Sequence, residues 1–161
     1  KDFTFVFHLT KEYSEFTQGI IKKNKLNNCE VISDNKIKSH ILKKSVFAVS
    51  KSGTVSLEIC NAKIPSIILY KMSLINFFII KMLVKVKYAN IINIAAKEEI
   101  IPELLQSNCS PKKIFEHVSD FLDNPKKIDA QIKKTQLIIN NFKTKNPSSL
   151  QAATALNKFL N

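Results

Sequence analysis

Val46-Phe47-Ala48-Val49-Ser50-Lys51-Ser52-Gly53-Thr54-Val55-Ser56-Leu57-Glu58 is the stretch that decides how this chain folds. An apolar strand, Val46–Val49, runs into a Ser52-Gly53-Thr54 turn, and a helix opens at Thr54 with Glu58 one turn along. Glycine occurs only twice in the chain, as Gly19 and Gly53, and one of the two stands in this turn. Without a Cβ the backbone bends sharply there and a ligand approaches the main chain closely. The first N–H groups of the new helix have no carbonyl behind them, so they face whatever anion lies over the turn. Strand, glycine turn and helix start together suit a diphosphate and direct the reading toward a nucleotide or sugar-nucleotide site. Ser52 and Thr54 supply hydroxyls, and Glu58 is spaced to accept from two ribose hydroxyls. Each has a plainer explanation, since Ser and Thr are ordinary helix caps and Glu58 an ordinary exposed acid.

Working outward, strand and helix patterns alternate. Phe3–Leu9 is aromatic and β-branched, and Tyr13–Lys23 has helical spacing through Phe16, Ile20 and Ile21. Cys29–Ile32 reads as a strand, Ile37–Lys44 as a short helix, Thr54–Ala62 as a helix and Ile64–Tyr70 as a strand. Short apolar runs separated by helices predict parallel strands buried on both faces. The fold class is α/β with right-handed crossovers, a Rossmann-like parallel sheet with flanking helices. Farther on, Ala89–Ala95 reads as strand or extended chain and Pro102–Gln106 as helical. Ser110–Leu122 is a helix with Ser110 as N-cap and Pro111 at its first position, and Asp123-Asn124-Pro125 breaks it. Helices over Lys126–Lys143 and Pro147–Leu160 follow. Residues 1–123 are expected to form the nucleotide-sugar-binding domain, with 124–161 a helical tail packing on it or on a partner. The chain opens on Lys1 and reads as strand almost at once, so the sequence is expected to be the C-terminal portion of something longer.

With 161 residues, 45% hydrophobic and 24% charged, the chain has the composition of a globular domain rather than a disordered one. Its net charge of +12 by itself points to nucleic acid or an anionic membrane. All 25 basic residues are lysine, however, and Ile and Asn are also abundant, as codon usage biased toward A and T produces. Nucleic-acid readers rely on arginine forks and stacking aromatics, neither of which clusters here, so no nucleic-acid partner is expected. Cys29, Cys60 and Cys109 are far apart, without a CxxC and without His8, His40 or His117 at ligand spacing. They read as reduced, buried or half-buried thiols, and neither a metal nor a cofactor is expected. His8 reads as the end of a strand and His117 as a helix-surface residue, neither of them catalytic.

Several blocks of this sequence resemble the lipid-A-disaccharide synthase family. Ser52-Gly53-Thr54-Val55-Ser56-Leu57-Glu58, followed by Ala62, Pro65 and Tyr70, is similar to its Ser-Gly-Thr-x-Ser/Thr-Leu-Glu pattern with a following Pro and Tyr. Leu83-Val84-Lys85-Val86-Lys87-Tyr88 resembles a second block. Asn93 with Glu99-Ile100-Ile101-Pro102-Glu103-Leu104-Leu105-Gln106 resembles two more, in order and at matching spacing over about residues 46–123. The resemblance implies the C-terminal, donor-binding domain of a GT-B glycosyltransferase. Such an enzyme joins a UDP-diacylglucosamine donor to a diacylglucosamine 1-phosphate acceptor, giving the lipid A disaccharide and UDP. It implies that Ser52, Gly53 and Thr54 hold the diphosphate, that Glu58 holds the ribose, and that Asn93, Glu99, Glu103 and Gln106 line the cleft. The general base is expected in an N-terminal half that this chain lacks, so this chain alone is not expected to turn over. The catalytic residue is thus unknown from this sequence.

Two positions depart from the family pattern. Lys71 stands where the family has arginine after tyrosine, which keeps the charge for a phosphate contact but loses the bidentate fork. Ala96-Lys97-Glu98-Glu99 stands where the family has Ala-Gly-Arg-Glu, so the glycine is replaced by Lys97 and the arginine by Glu98. The run from Met72 to Val84 is apolar nearly all round and edged by Lys71, Lys81, Lys85 and Lys87. It is too short to span a bilayer and reads either as a core helix or as a surface that docks on an anionic membrane through Phe77, Phe78, Lys81 and Lys85. The expected setting is cytoplasmic, peripheral to the inner membrane of a Gram-negative-type bacterium, with an N-terminal half or a partner subunit completing the site. The competing reading is a non-catalytic remnant or lysine-rich membrane-surface binding module.

Overall fold

The computed structural model describes residues 3–73, 87–143 and 147–160. It comprises two compact units, Lys1–Lys44 and Ser45–Asn161. In the first, β1 (Phe5–His8) and β2 (Cys29–Ile32) pair in parallel with Phe5 opposite Cys29 and His8 opposite Ile32. Helix α1 (Lys11–Lys23) joins them and α2 (Lys38–Lys44) follows. Asn24 closes α1 by donating its side-chain amide to the Ile20 carbonyl at 2.8 Å.

The second unit is built on a parallel sheet of β3 (Ala48–Lys51), β4 (Ser66–Tyr70) and β5 (Glu103–Leu105), with β4 in the middle. Successive strand residues face opposite sides, and the three apolar residues of β4 use that period directly. Ile68 points to one side, where it packs with Cys60 of α3 (Thr54–Asn61), Ile92 of α4 (Ile91–Ala96), Ile101, and Ile139 of α6 (Pro125–Phe142). Ile67 points to the other, against Leu104 and Phe121, with Phe47, Leu69, and Ile114 and Val118 of α5 (Pro111–Asp123) around them. Both faces are therefore covered, as a parallel sheet requires. Helix α7 (Ser148–Leu160) ends the described chain. No helix among the described residues is long and apolar enough to cross a membrane. The segment with Phe77, Phe78, Lys81 and Lys85 lies outside the described residues, so the membrane reading made from it does too.

Two sequence expectations are corrected. Ala89–Ala95 is not extended: residues 91–96 are helix α4, because Asn90 caps it by accepting the Ile92 N–H at 2.9 Å. Pro102–Gln106 is not helical: Glu103–Leu105 is strand β5, running on into a short 3-10 helix, Gln106–Asn108. Glu, Leu and Gln all favour helix, but Leu104 is buried against Ile67 and the Pro102 carbonyl accepts the Ile68 N–H at 2.9 Å. Tertiary burial overrides local propensity here.

Helix α4 ends on Lys97, whose φ of 55° and ψ of 23° are left-handed. This is the position at which the resembled pattern carries glycine, the residue that adopts such a cap without a Cβ penalty. Helix α6 is fastened to the sheet by Gln131, which is 5% exposed. Its Oε1 accepts the Ser66 N–H at 2.7 Å, and its Nε2 donates to the carbonyls of Ser66 at 3.0 Å and Ile100 at 3.2 Å. One amide thus satisfies three backbone groups that the sheet leaves over. The thiols are free, with Cys60 buried and Cys29 and Cys109 half-buried, and burial pushes the Cys60 thiol up to about 11.

Three outcomes are expected. Lys97→Gly raises stability by about 0.5–1 kcal/mol in urea denaturation, because the left-handed penalty of ~1–2 kcal/mol exceeds the backbone entropy that glycine costs; no gain would show that the lysine cap is unstrained. Gln131→Leu lowers stability by about 2–3 kcal/mol, since it strands three buried backbone groups; a neutral substitution would mean that water reaches them. In native protein at pH 8, alkylation consumes Cys29 and Cys109 while Cys60 reacts only after denaturation. The Cys60 contribution is present below pH 9 and is lost as the pH rises toward 11, so stability should fall in that window; equal labelling of all three thiols in native protein would contradict it.

Candidate functional site

The carboxyl ends of parallel strands are where α/β sheets bind ligands. Three of the residues singled out from sequence lie at or just beyond such ends: Ser52 after β3, Lys71 after β4 and Gln106 after β5. Lys51 sits 5.4 Å over the ring of Tyr70 on the neighbouring strand, holding the ends of β3 and β4 together.

The turn between β3 and α3 is open at its glycine. Gly53 has φ 147° and ψ −163°, a region that essentially only glycine occupies, and a Cβ there would meet nothing within 4 Å. The requirement for glycine is therefore conformational rather than steric, and the space before it is open. No side chain caps α3. The first-turn N–H groups of Thr54 and Val55 lack intrahelical acceptors, unlike those of α4 and α5, whose first turns are capped by Asn90 and Ser110. Thr54 and Glu58 are both exposed on α3. The hydroxyl of Ser52 is already committed, donating to the Ala89 carbonyl at 2.7 Å. That leaves the Thr54 hydroxyl and the backbone amides as the donors facing solvent.

Asn93 and Glu103 are brought together, Asn93 fully buried and Glu103 half-buried. Asn93 is fully buried and uses every hydrogen-bonding position of its amide. Its Oδ1 accepts from the N–H groups of Ile100 and Ile101, both at 2.9 Å, and its Nδ2 donates to the Ile101 carbonyl at 2.7 Å and to Glu103 Oε1 at 2.8 Å. Glu103 in turn accepts the Asn90 N–H through Oε1 at 2.9 Å and the Ala89 N–H through Oε2 at 2.7 Å. Gln106, at a φ of 49°, clamps the chain after β4 by accepting from the Met72 N–H at 2.8 Å and donating to its carbonyl at 3.1 Å. Glu99 is exposed, with its carboxylate accepting the Glu103 N–H at 3.1 Å. Glu98, the departure at the family's arginine, forms an ion pair with Lys134 of α6, and Lys71 is exposed.

Two members of this network escaped the sequence reading. Ser56, fully buried, donates its hydroxyl to the Gly53 carbonyl at 2.6 Å, and it accepts from Asn90 Nδ2 at 2.9 Å. The available signal for Asn90 was its position as an N-cap residue before the apolar Ile91-Ile92 pair. The available signal for Ser56 was the Ser/Thr position of the Ser-Gly-Thr-x-Ser/Thr-Leu-Glu pattern that this chain resembles. Among the described residues no group of His, Cys, Asp and Glu side chains is placed to hold a metal ion.

Comparison with known proteins gives the family of the chain. A family model described as lipid-A-disaccharide synthetase matches residues 1–157. The lipid-A-disaccharide synthase of Rickettsia bellii is 36% identical over 133 residues, covering 81% of this chain and 34% of the relative. That of Rickettsia felis is 40% identical over 116 residues, 70% of this chain and 30% of the relative, and that of Rickettsia canadensis 34% identical over 166 residues, 99% and 42%. The chain thus spans about a third of the length of the first of these relatives. With a family match that runs over residues 1–157 and relatives 34–40% identical over most of its length, the chain belongs to the lipid-A-disaccharide synthetase family.

Proposed function

We propose that this chain is the donor-binding half of a hexosyltransferase of lipid A biosynthesis. The donor is a UDP-diacylglucosamine and the acceptor a diacylglucosamine 1-phosphate, and the products are the lipid A disaccharide and UDP. The observation that carries the reading is the uncapped start of α3 behind a glycine-only turn, at the carboxyl edge of a parallel sheet, in a chain of this family. Departure of UDP leaves negative charge on a diphosphate. Backbone amides of Gly53, Thr54 and Val55, the Thr54 hydroxyl and the dipole of α3 are arranged to take up that charge without reorganising. Glu58, one turn along the exposed side of α3, accepts from the ribose hydroxyls. Lys71, beyond the central strand, adds a point charge for a phosphate.

The remaining candidate residues act behind this surface. Asn93, Glu103 and Gln106 have their polar groups engaged by the chain itself, so in this reading they shape the cleft rather than touch the sugar. Glu99 stands at the exposed rim. The general base comes from an N-terminal half or a partner subunit, and a lysine-edged apolar surface keeps the complex at the anionic membrane that holds both acylated substrates. Helix α6, which opens the tail, is tied to the sheet by the Gln131 clamp, which supports packing of the tail on this domain.

Calorimetry tests the donor site. UDP should bind the wild-type chain saturably, and Glu58→Ala should weaken it about ten- to a hundredfold, the loss of a charge-assisted hydrogen bond of roughly 1.5–3 kcal/mol. Gly53→Val should abolish binding while also straining the turn by about 1–3 kcal/mol, which thermal unfolding reads separately. Folded wild-type protein that ignores UDP would favour the non-catalytic module instead. A second measurement asks about the whole reaction: this chain, joined to an acceptor half from a relative, should release UDP from the acylated donor only when acceptor is present. Release that ignores the acceptor would contradict the assigned chemistry.

A further inference from the structure

We propose that Ser56 and Asn90 are positioning residues that set the anion-binding geometry of the Ser52-Gly53-Thr54 turn from beneath, an inference that rests on the donor-site reading above. Neither side chain reaches the surface, and neither is one of the residues that would touch the donor. What they touch is the turn. The Ser56 hydroxyl donates to the Gly53 carbonyl at 2.6 Å, which fixes the orientation of the peptide plane that joins Gly53 to Thr54. Because a peptide is planar, fixing its carbonyl also fixes the N–H on its other end, and that N–H belongs to Thr54. The same carbonyl accepts the Ser56 N–H at 3.1 Å, so it is held by two donors from one residue.

A serine hydroxyl rotates to suit its neighbours, so its own direction has to be imposed. Asn90 does this. Its Nδ2 donates to Ser56 Oγ at 2.9 Å, occupying the acceptor side of the hydroxyl and leaving its proton for Gly53. Asn90 itself cannot swing, because its Oδ1 holds the Ile92 N–H and its own N–H is held by Glu103. On the other flank, Ser52 Oγ is tied to the Ala89 carbonyl at 2.7 Å, and the Ala89 N–H is held by the same Glu103 carboxylate. Both sides of the glycine turn therefore refer to one carboxylate on β5. Glycine has no steric preference of its own to hold φ near 147°, so the buried relay supplies what the residue lacks.

The test compares UDP with uridine, binding each to the wild-type chain and to Ser56→Ala and Asn90→Ala. Uridine carries the base and ribose but no phosphate. The inference expects the affinity for UDP to fall about tenfold in both variants while that for uridine stays within about twofold. A general loss of folding would lower both affinities together, and thermal unfolding of each variant measures it. The double variant should be no worse than about either single one, since the two side chains act in series. Equal losses for UDP and uridine, or no loss of UDP, overturn the inference while leaving the donor site standing. Wild-type protein that binds neither ligand overturns the donor site and the inference with it. Ser56→Thr, which restores a hydroxyl at the same position, should recover most of the UDP affinity; a thermal midpoint that recovers without UDP affinity would reduce Ser56 to a packing role.

Discussion

A carboxylate on the edge strand organises the functional end of the larger unit. Glu103 receives three N–H donors, from Ala89, Asn90 and Asn93, within 2.9 Å. Charge-assisted bonds of this kind are roughly twice as strong as neutral ones. Strand β5 would otherwise be only three residues long and weakly defined. Through Glu103 it becomes the post to which the loop before α4, the start of α4 and the glycine turn are all moored. Such a network is close to all-or-none, since a buried partner left without its bond costs more than the bond itself contributed.

The division of labour that results is between a rigid floor and a sparse upper surface. Asn93, Ser56, Asn90 and Glu103 have their hydrogen bonds satisfied inward. The groups facing outward are the backbone amides at the start of α3, the Thr54 hydroxyl and Lys71 beyond β4. The proposed donor site is made largely of main-chain donors, and such a site is tolerant of side-chain composition. The change from arginine to lysine at 71 and the appearance of Glu98 fit that tolerance, the latter because Lys134 neutralises it locally.

How much of this was legible in the sequence follows the physics of each element. The β3-turn-α3 unit and the cap of α5 by Ser110 and Pro111 depend on local chemistry, and the sequence displayed them directly. The alternation of short apolar runs with helices announced a parallel sheet, and Ile67 and Ile68 bear it out on its two faces. Residues 89–106 were misread because their conformation is imposed from elsewhere: Asn90 wins a helix from a strand-like apolar string, and burial of Leu104 wins a strand from helix formers. Asn93, Glu99, Glu103 and Gln106 were picked out as a group by family resemblance. That they divide into a buried Asn93, half-buried Glu103 and Gln106 and an exposed Glu99 depends on contacts between segments far apart in the chain, which no local pattern encodes.

The backbone angles also record how the composition has been accommodated. Among the described residues, four other than glycine have positive φ, and three of them are lysines: Lys25, Lys63 and Lys97. Left-handed angles near 55° are open to any L-residue at a cost of about 1–2 kcal/mol each, so a coding bias toward lysine can be absorbed there as a tax on stability. The geometry of Gly53 offers no such option, because its combination of φ and ψ excludes every side chain. In a chain with so few glycines, the substitutable turns carry lysine and the one that cannot be substituted carries glycine. With a typical domain holding only ~5–15 kcal/mol in reserve, three strained lysines consume a sizeable part of it. Mutational drift in such a molecule would therefore be felt first as thermal fragility of the scaffold, well before it reached the chemistry of the turn.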